Sequence, residues 1–255
     1  MGKLIKVYGE RNTNTTYVSK LIKLNLQAVE VPGIVPPFVL KLQKILPGKE
    51  LVRDIYFNLT YRNNLGWKHT CVKPFEELSK YINFRSDLVF LTITKNPYSW
   101  LLSLYRRPYH QYYSERPSFE TFLQRPWKTI GRDNTKPVLK SPIELWNIKN
   151  KSYLQLKETN TLNVTTESIF ENPESILENI SRQLSIKRIS DRFVNYERST
   201  KDKSKDSNYY RNYYLSEKWR DDLSSDAIAI INESIDIKLM SHFGYKLLPY
   251  HNESV

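Results

Sequence analysis

"VYGERNTNTTYV", residues 7–18, reads as a strand running into a helix across a bend of hydroxyl and amide side chains. Leu4 to Tyr8 makes a short strand, and Thr15 to Leu26 a helix with Tyr17, Leu21 and Leu24 on one face. The first amides of a helix have no partner within it, and the helix dipole adds positive potential at that end. Such a bend suits an anion, with Thr15 and Thr16 as hydroxyl donors and Arg11 as a charge that matches phosphate. The plainer reading is a polar, well-capped helix start. The common nucleotide loop, GxxxxGK followed by Ser or Thr, does not fit, because Gly9 lacks the second glycine and the lysine.

The other features of the chain narrow the partner. Its 255 residues carry a net charge of +12, which favours an anion such as a nucleotide, a nucleic acid, an acidic glycan or a membrane surface. An apolar content of 40% and an aromatic content of 13% belong to a globular chain with a proper core. No apolar run reaches the roughly 20 residues a membrane span needs. A single cysteine, Cys71, excludes an internal disulfide framework and a cysteine-rich zinc site. The first residues meet charge too early for a secretory signal, so the expected compartment is reducing and cytoplasmic. The sequons at Asn14, Asn58, Asn163 and Asn232 then reflect Asn-rich composition, not glycosylation.

Strand and helix patterns alternate, which predicts an α/β fold with a parallel sheet in one domain, residues 1–255. "DLVFLTIT", residues 87–94, is the strongest strand and the expected centre of the sheet. Pro97 opens a helix at its favoured first position, and Asn172-Pro173 opens another. Residues 31–50 read as irregular, with at most a short helix near Leu40 to Ile45. The proline-bearing, aromatic stretch 108–140 reads as a lid or substrate region. Residues 198–214, charged and Tyr-rich, read as a mobile basic loop, and Ser224 to Phe243 as one terminal helix.

Two further constellations carry chemistry. In "TKNPYSWLLSLYRRPYH", residues 94–110, Lys95 stands at the C-terminal end of the strongest strand, where open α/β sheets bind ligands. Ser103 follows eight residues later, in the helix that Pro97 begins, and the Asn96-Pro97 bend can bring both to one phosphate. Alone, these are a surface lysine and an ordinary serine. In "GWKHT", residues 66–70, Lys68 and His69 end a brief extended piece, a combination suited to acid–base work in a basic protein. His110, with Arg106 and Arg107, is the rival base.

In this order the motifs resemble the PAPS-dependent sulfotransferases, as a divergent branch. That family's 5′-phosphosulfate loop, typically KSGTTW, is matched by "NTNTTY", in which Asn12, Thr13, Asn14, Thr15, Thr16 and Tyr17 stand in turn. Its 3′-phosphate signature, RNPxxxxxS, is matched by "KNPYSWLLS", with Lys95 and Ser103 at the family spacing. "WKH" is similar to its strand-end base element, "VTTESIFENPESILENISRQL" to its YEDLxxxPxxxLxxIxxFL stretch, and "HFGY" to its usual close. The resemblance implies a P-loop-like three-layer fold, PAPS as sulfuryl donor, and transfer to a hydroxyl or amine acceptor with no metal. It implies His69 as general base and Lys68 or Arg11 as partners of the leaving group. Arg11 through Tyr17 would hold the 5′ end with Tyr17 on adenine, and Lys95 and Ser103 the 3′-phosphate.

Departures are specific. Asn12 replaces the loop lysine, so Arg11 is expected to supply its charge. Asn14 replaces the loop glycine, which is physically permitted because Asn tolerates positive φ. Lys95 offers a point charge where the family has a bidentate arginine fork. No RKG segment occurs, and Arg198, Lys201 and Lys203 lie where it is expected. The alternatives are a P-loop-type kinase or other nucleotide phosphotransferase, which lacks a clear magnesium-binding carboxylate, and a nucleic-acid-binding module using residues 198–220. The second leaves the opening bend unexplained. The acceptor, whether small molecule, glycan or peptide, is not legible.

Overall fold

A computed structural model describes residues 2–46, 48–197 and 204–250. The chain opens with β1 (Lys3–Gly9), α1 (Thr15–Asn25) and β2 (Ala28–Glu30). Four helices follow: α2 (Pro37–Ile45), α3 (Lys49–Leu59), α4 (Tyr61–Asn64) and α5 (Phe75–Ile82). Next come β3 (Leu88–Thr94), α6 (Pro97–Arg106), α7 (Phe119–Gln124), the short pair β4 (Trp127–Lys128) and β5 (Val138–Leu139), and α8 (Pro142–Tyr153). The remaining elements are β6 (Thr161–Thr165), α9 (Thr166–Glu171), α10 (Pro173–Gln183), α11 (Ser207–Leu215), α12 (Ser225–Ser234) and α13 (Ile237–His242).

The fold is α/β, with a four-stranded parallel sheet in the order β2-β1-β3-β6 flanked by helices. All seven residues of β3 are buried, as expected of a strand covered on both faces. The pleat divides the apolar residues between two layers. Ile5, Val7, Val89, Leu91 and Ile93 pack with Val18, Leu21 and Ile22 of α1 and Leu177 and Ile180 of α10. Tyr8, Leu88 and Phe90 face the other way, onto Leu65, Val72, Leu78 and Tyr153. Lys6 shares this second face and is fully buried. Its ammonium donates to the carbonyls of Pro32 (3.0 Å), Gly66 (2.6 Å) and Asn64, tying β1 to the loops beneath the sheet.

Proline and Asn start the helices as expected. Asn96 accepts from the amide of Tyr98 ahead of α6, and Asn172 from that of Ser175 ahead of α10. Stretch 108–140 sends Phe119, Phe122, Leu123, Trp127 and Leu139 into the core against α6 and α8, with exposed residues between them. Three expectations change. Of the expected loop 198–214, Ser207–Leu215 is helix, started by Asp206, whose carboxylate accepts from the amide of Tyr209 (2.8 Å). Arg198, Lys201 and Lys203 lie outside the described residues. The terminal helix is two helices, because Asp236 accepts from the amide of Leu239 and starts α13 afresh. Residues 65–70 are a turn, not a strand end, because Leu65 and Gly66 adopt positive φ of 54° and 86° and break extension.

Candidate functional site

The bend after β1 is closed by Thr13, whose hydroxyl and amide both donate to the carbonyl of Glu10, at 2.6 and 3.2 Å. Asn12 and Asn14 take left-handed conformations, with φ of 66° and 62°. Asn thus fills the position where the resemblance has glycine, as its tolerance of positive φ allows. Asn14 stands at the start of α1, and its side chain makes no capping bond, so it leaves the first amides of the helix to another acceptor. Gly9 is needed for close approach: a Cβ there would lie 2.7 Å from Thr13 Oγ1 and 2.8 Å from Thr15 Cγ2.

The turn 65–70 is laced to this bend. The amide of Gly9 donates to Lys68 O, and the amide of Lys68 donates to Gly33 O, each at 3.0 Å. Lys68 Nζ reaches Thr16 Oγ1 at 3.2 Å, which sets an ammonium over the start of α1. His69 Nδ1 lies 2.5 Å from Gly9 O. A carbonyl can only accept, so Nδ1 carries the proton and Nε2 keeps its lone pair. Burial, then Lys68, holds His69 well below the ordinary histidine range, so the ring is neutral.

Arg11 lies between the Trp67 and Tyr109 rings, its guanidinium carbon 4.6 and 4.5 Å from their centroids. Its Nη2 donates to His110 Nε2 at 2.5 Å. The lone pair of His110 is therefore occupied, and burial with Arg11 pulls its pKa down to about 4. Trp100 Nε1 donates to Arg11 O at 2.8 Å and anchors the loop on α6.

Lys95 and Ser103 meet as expected, Nζ to Oγ at 2.8 Å. Lys95 nevertheless lies behind the site, 1% exposed, with Tyr214 OH 3.0 Å from its ammonium. Burial lowers its pKa to about 7. Asn12 Nδ2 donates to Ser103 O at 3.4 Å and joins the two motifs.

One cavity of about 450 Å³ collects these groups. Arg11, Asn12, Asn14, Thr15, Thr16, Tyr17, Lys68, His69, Ser103 and His110 line it; Thr13 and Lys95 do not, being buried behind the loop and behind Ser103. The volume falls within the roughly 300–1,000 Å³ usual for ligand sites. Tyr17 stacks on Phe170, centroids 5.4 Å apart and planes 5° apart, and its hydroxyl donates to Asn195 Oδ1. Tyr210 and Tyr214 stack on the same Phe170 and continue an aromatic wall.

Several important groups escape the sequence reading. Glu10, Asp133 and Lys149 form a buried charge cluster under the bend, Lys149 Nζ lying 2.6 Å from Asp133 Oδ1 and 3.4 Å from Glu10 Oε2. The same ammonium donates to His69 O, so one residue of α8 grips both the bend and the turn. Arg132 packs on Trp67 and pairs with Asp54 (2.8 Å) and Glu50. Among these, only Glu10 adjoins a motif. The wall tyrosines were visible as a Tyr-rich segment, obscured by its flanking charges.

No protein-family model matches the chain, and no curated protein matches it. Among solved structures it is similar to a sulfotransferase domain from the curacin biosynthetic pathway, at 11% identity, with 97% of this chain and 99% of that one covered and a TM-score of 0.48. At that level the likeness decides nothing about the chemistry of this chain.

Proposed function

We propose that the chain is a sulfotransferase that moves a sulfuryl group from PAPS to a hydroxyl or amine acceptor by in-line transfer. The observation that carries the reading is convergence: the bend at 11–17, the turn at 68–69 and Ser103 meet on one cavity although about 90 residues separate the first from the last. The groups present fit a 3′,5′-phosphorylated nucleotide. An uncapped helix start with Thr15, Thr16 and Lys68 suits one phosphate end. Ser103 backed by Lys95 suits the other, and Tyr17 with its aromatic neighbours suits a base. Lys95 becomes fully charged when an anion sits on Ser103, because a nearby negative charge reverses the effect of burial.

PAPS, when bound, supplies the sulfuryl group. The protein's part is positioning and the management of charge and protons. His69 takes the acceptor proton on Nε2, its tautomer fixed by Gly9 O. Lys68 offsets charge at the 5′ end. Arg11, already engaged by two rings and His110, shapes the wall beside the reacting centre and contributes its field. His110 is the weaker base because Arg11 occupies its lone pair.

Thermal shift with adenosine 3′,5′-bisphosphate, ATP and an oligonucleotide tests the reading. The bisphosphate at a hundredfold excess over its dissociation constant stabilises by about 2.7 kcal/mol, while the others do so less. Equal response to all three, or none to the bisphosphate, removes the proposal. With labelled PAPS and an acceptor screen, His69→Ala abolishes turnover and keeps the nucleotide shift, whereas His110→Ala keeps both. Turnover surviving in His69→Ala reassigns the base.

A further inference from the structure

Helices α2 and α3 form a hairpin whose inner side is satisfied and whose outer side is apolar. Val35, Val39 and Phe57 are buried between them and the body. The outward stripes are Phe38, Leu42 and Ile45 on α2 and Leu51, Ile55 and Leu59 on α3, at helical spacing. Their exposure runs from 45% at Leu42 to 81% at Leu59. Nine of the 21 exposed large apolar side chains among the described residues lie between Ile34 and Leu59, a tenth of the chain. Scattered exposed leucines need no explanation, but a contiguous patch does.

The charge around this patch selects its partner. Lys41 and Lys44 stand exposed on α2, and Arg62 just beyond α3. The two carboxylates of α3, Glu50 and Asp54, are drawn inward to Arg132. The face that is left is apolar with a positive rim, on a chain of net charge +12. A second copy would bring its own positive rim against this one and be repelled. Anionic headgroups complement it, and apolar side chains beside lysines fit the boundary between headgroup and acyl chain. With 9 and 11 residues, these helices are too short to cross a bilayer but long enough to lie on one. Ile34 and Arg53, from the same hairpin region, line the cavity.

We propose that the α2–α3 hairpin docks the protein on an anionic phospholipid surface, with the cavity mouth beside the membrane. This does not rest on the sulfotransferase reading. Flotation of the whole chain with phosphatidylcholine vesicles, with and without phosphatidylserine, tests it. The protein floats with the anionic vesicles, and less so as salt rises. Lys41→Glu with Lys44→Glu weakens partition on the order of tenfold or more. Ile45→Ser with Leu51→Ser and Leu59→Ser weakens it on anionic vesicles while the circular-dichroism melt is unchanged, since these side chains are exposed. The proposal falls if the wild type stays with the lipid-free fraction. It also falls if both variants float like wild type, or if sedimentation shows these side chains buried in a dimer.

Discussion

Replacing Lys149 with Met would test whether the buried charge cluster holds the site together. The ammonium is fully buried, and the two carboxylates it meets are buried too, Asp133 at 2.6 Å and Glu10 at 3.4 Å. Met keeps most of the volume, so the loss is electrostatic and falls on two uncompensated carboxylates. Breaking a buried pair by removing one partner costs about 3–5 kcal/mol. For a chain of this size, that lowers the melting temperature by roughly 6–20 °C. The pH dependence distinguishes this cause from simple misfit. Burial already raises the Glu10 pKa, whereas Lys149, against burial, holds that of Asp133 below its ordinary value, so loss of Lys149 moves both upward. A carboxyl raised above its unfolded value favours folding below that value, and its contribution is lost as pH rises through the folded pKa. The deficit of Lys149→Met, measured by thermal melts against wild type, is therefore smaller near about pH 5 and larger near about pH 8. Adding Glu10→Gln and Asp133→Asn recovers part of it. A variant within about 2 °C of wild type at every pH would refute the reasoning, as would a deficit that does not change with pH.

Two other outcomes follow from the bend and from Lys95. Gly9→Ala forces a Cβ to within 2.7 Å of Thr13 Oγ1 and destabilises by about 1–3 kcal/mol in urea titrations, with loss of the bisphosphate shift. Lys95 has its pKa lowered to about 7 from 10.5, so the unfolded chain holds the extra proton between those values and stability rises with pH there by up to about 1.4 kcal/mol per unit. Lys95→Met removes that share of the slope, and also removes the proton uptake that calorimetry in different buffers detects when the bisphosphate binds near pH 8.

The parts of the fold that depend on neighbouring residues were legible. The β-branched run at 88–94 could only be a buried strand, and Pro97 and Pro173 could only sit at helix starts. The strand-to-helix bend was legible because a short, largely apolar run, Leu4 to Tyr8, gives way to Arg11 and Thr13 before Thr15 and Thr16 open the helix. What depended on partners far along the chain was not. The turn at Lys68–His69 is held by Gly9 and Gly33, and no local pattern tells it from a strand end. Phe119, Phe122 and Leu123 complete a core whose other half is α6 and α8, yet Pro117 and Pro126 beside them signal a loop. The helical periodicity runs unbroken through Ile235 and Asp236, and only the carboxylate of Asp236 at the amide of Leu239 restarts it. Lys149 is 80 residues from the histidine whose carbonyl it holds.

Three fully buried lysines, Lys6, Lys95 and Lys149, separate structure from chemistry in this site. Lys6 hydrogen-bonds to carbonyls and lies over the Tyr8 ring, and burial lowers its pKa to about 7. Carbonyl dipoles do not repay the desolvation of a full charge. Lys149 meets two carboxylates, and its pKa rises instead. It is a permanent cation, fit to fasten the bend to the turn but not to answer a ligand. Lys95 meets two hydroxyls, from Ser103 and Tyr214, and burial lowers its pKa to about 7, so a negative charge nearby favours its protonated form. Its ammonium meets the side chain of Ser103, which lines the cavity, whereas Lys149 reaches the lining only through the backbone carbonyl of His69. On the proposed reading, an anion bound at Ser103 charges Lys95, while Lys149, held by two carboxylates, keeps its charge throughout.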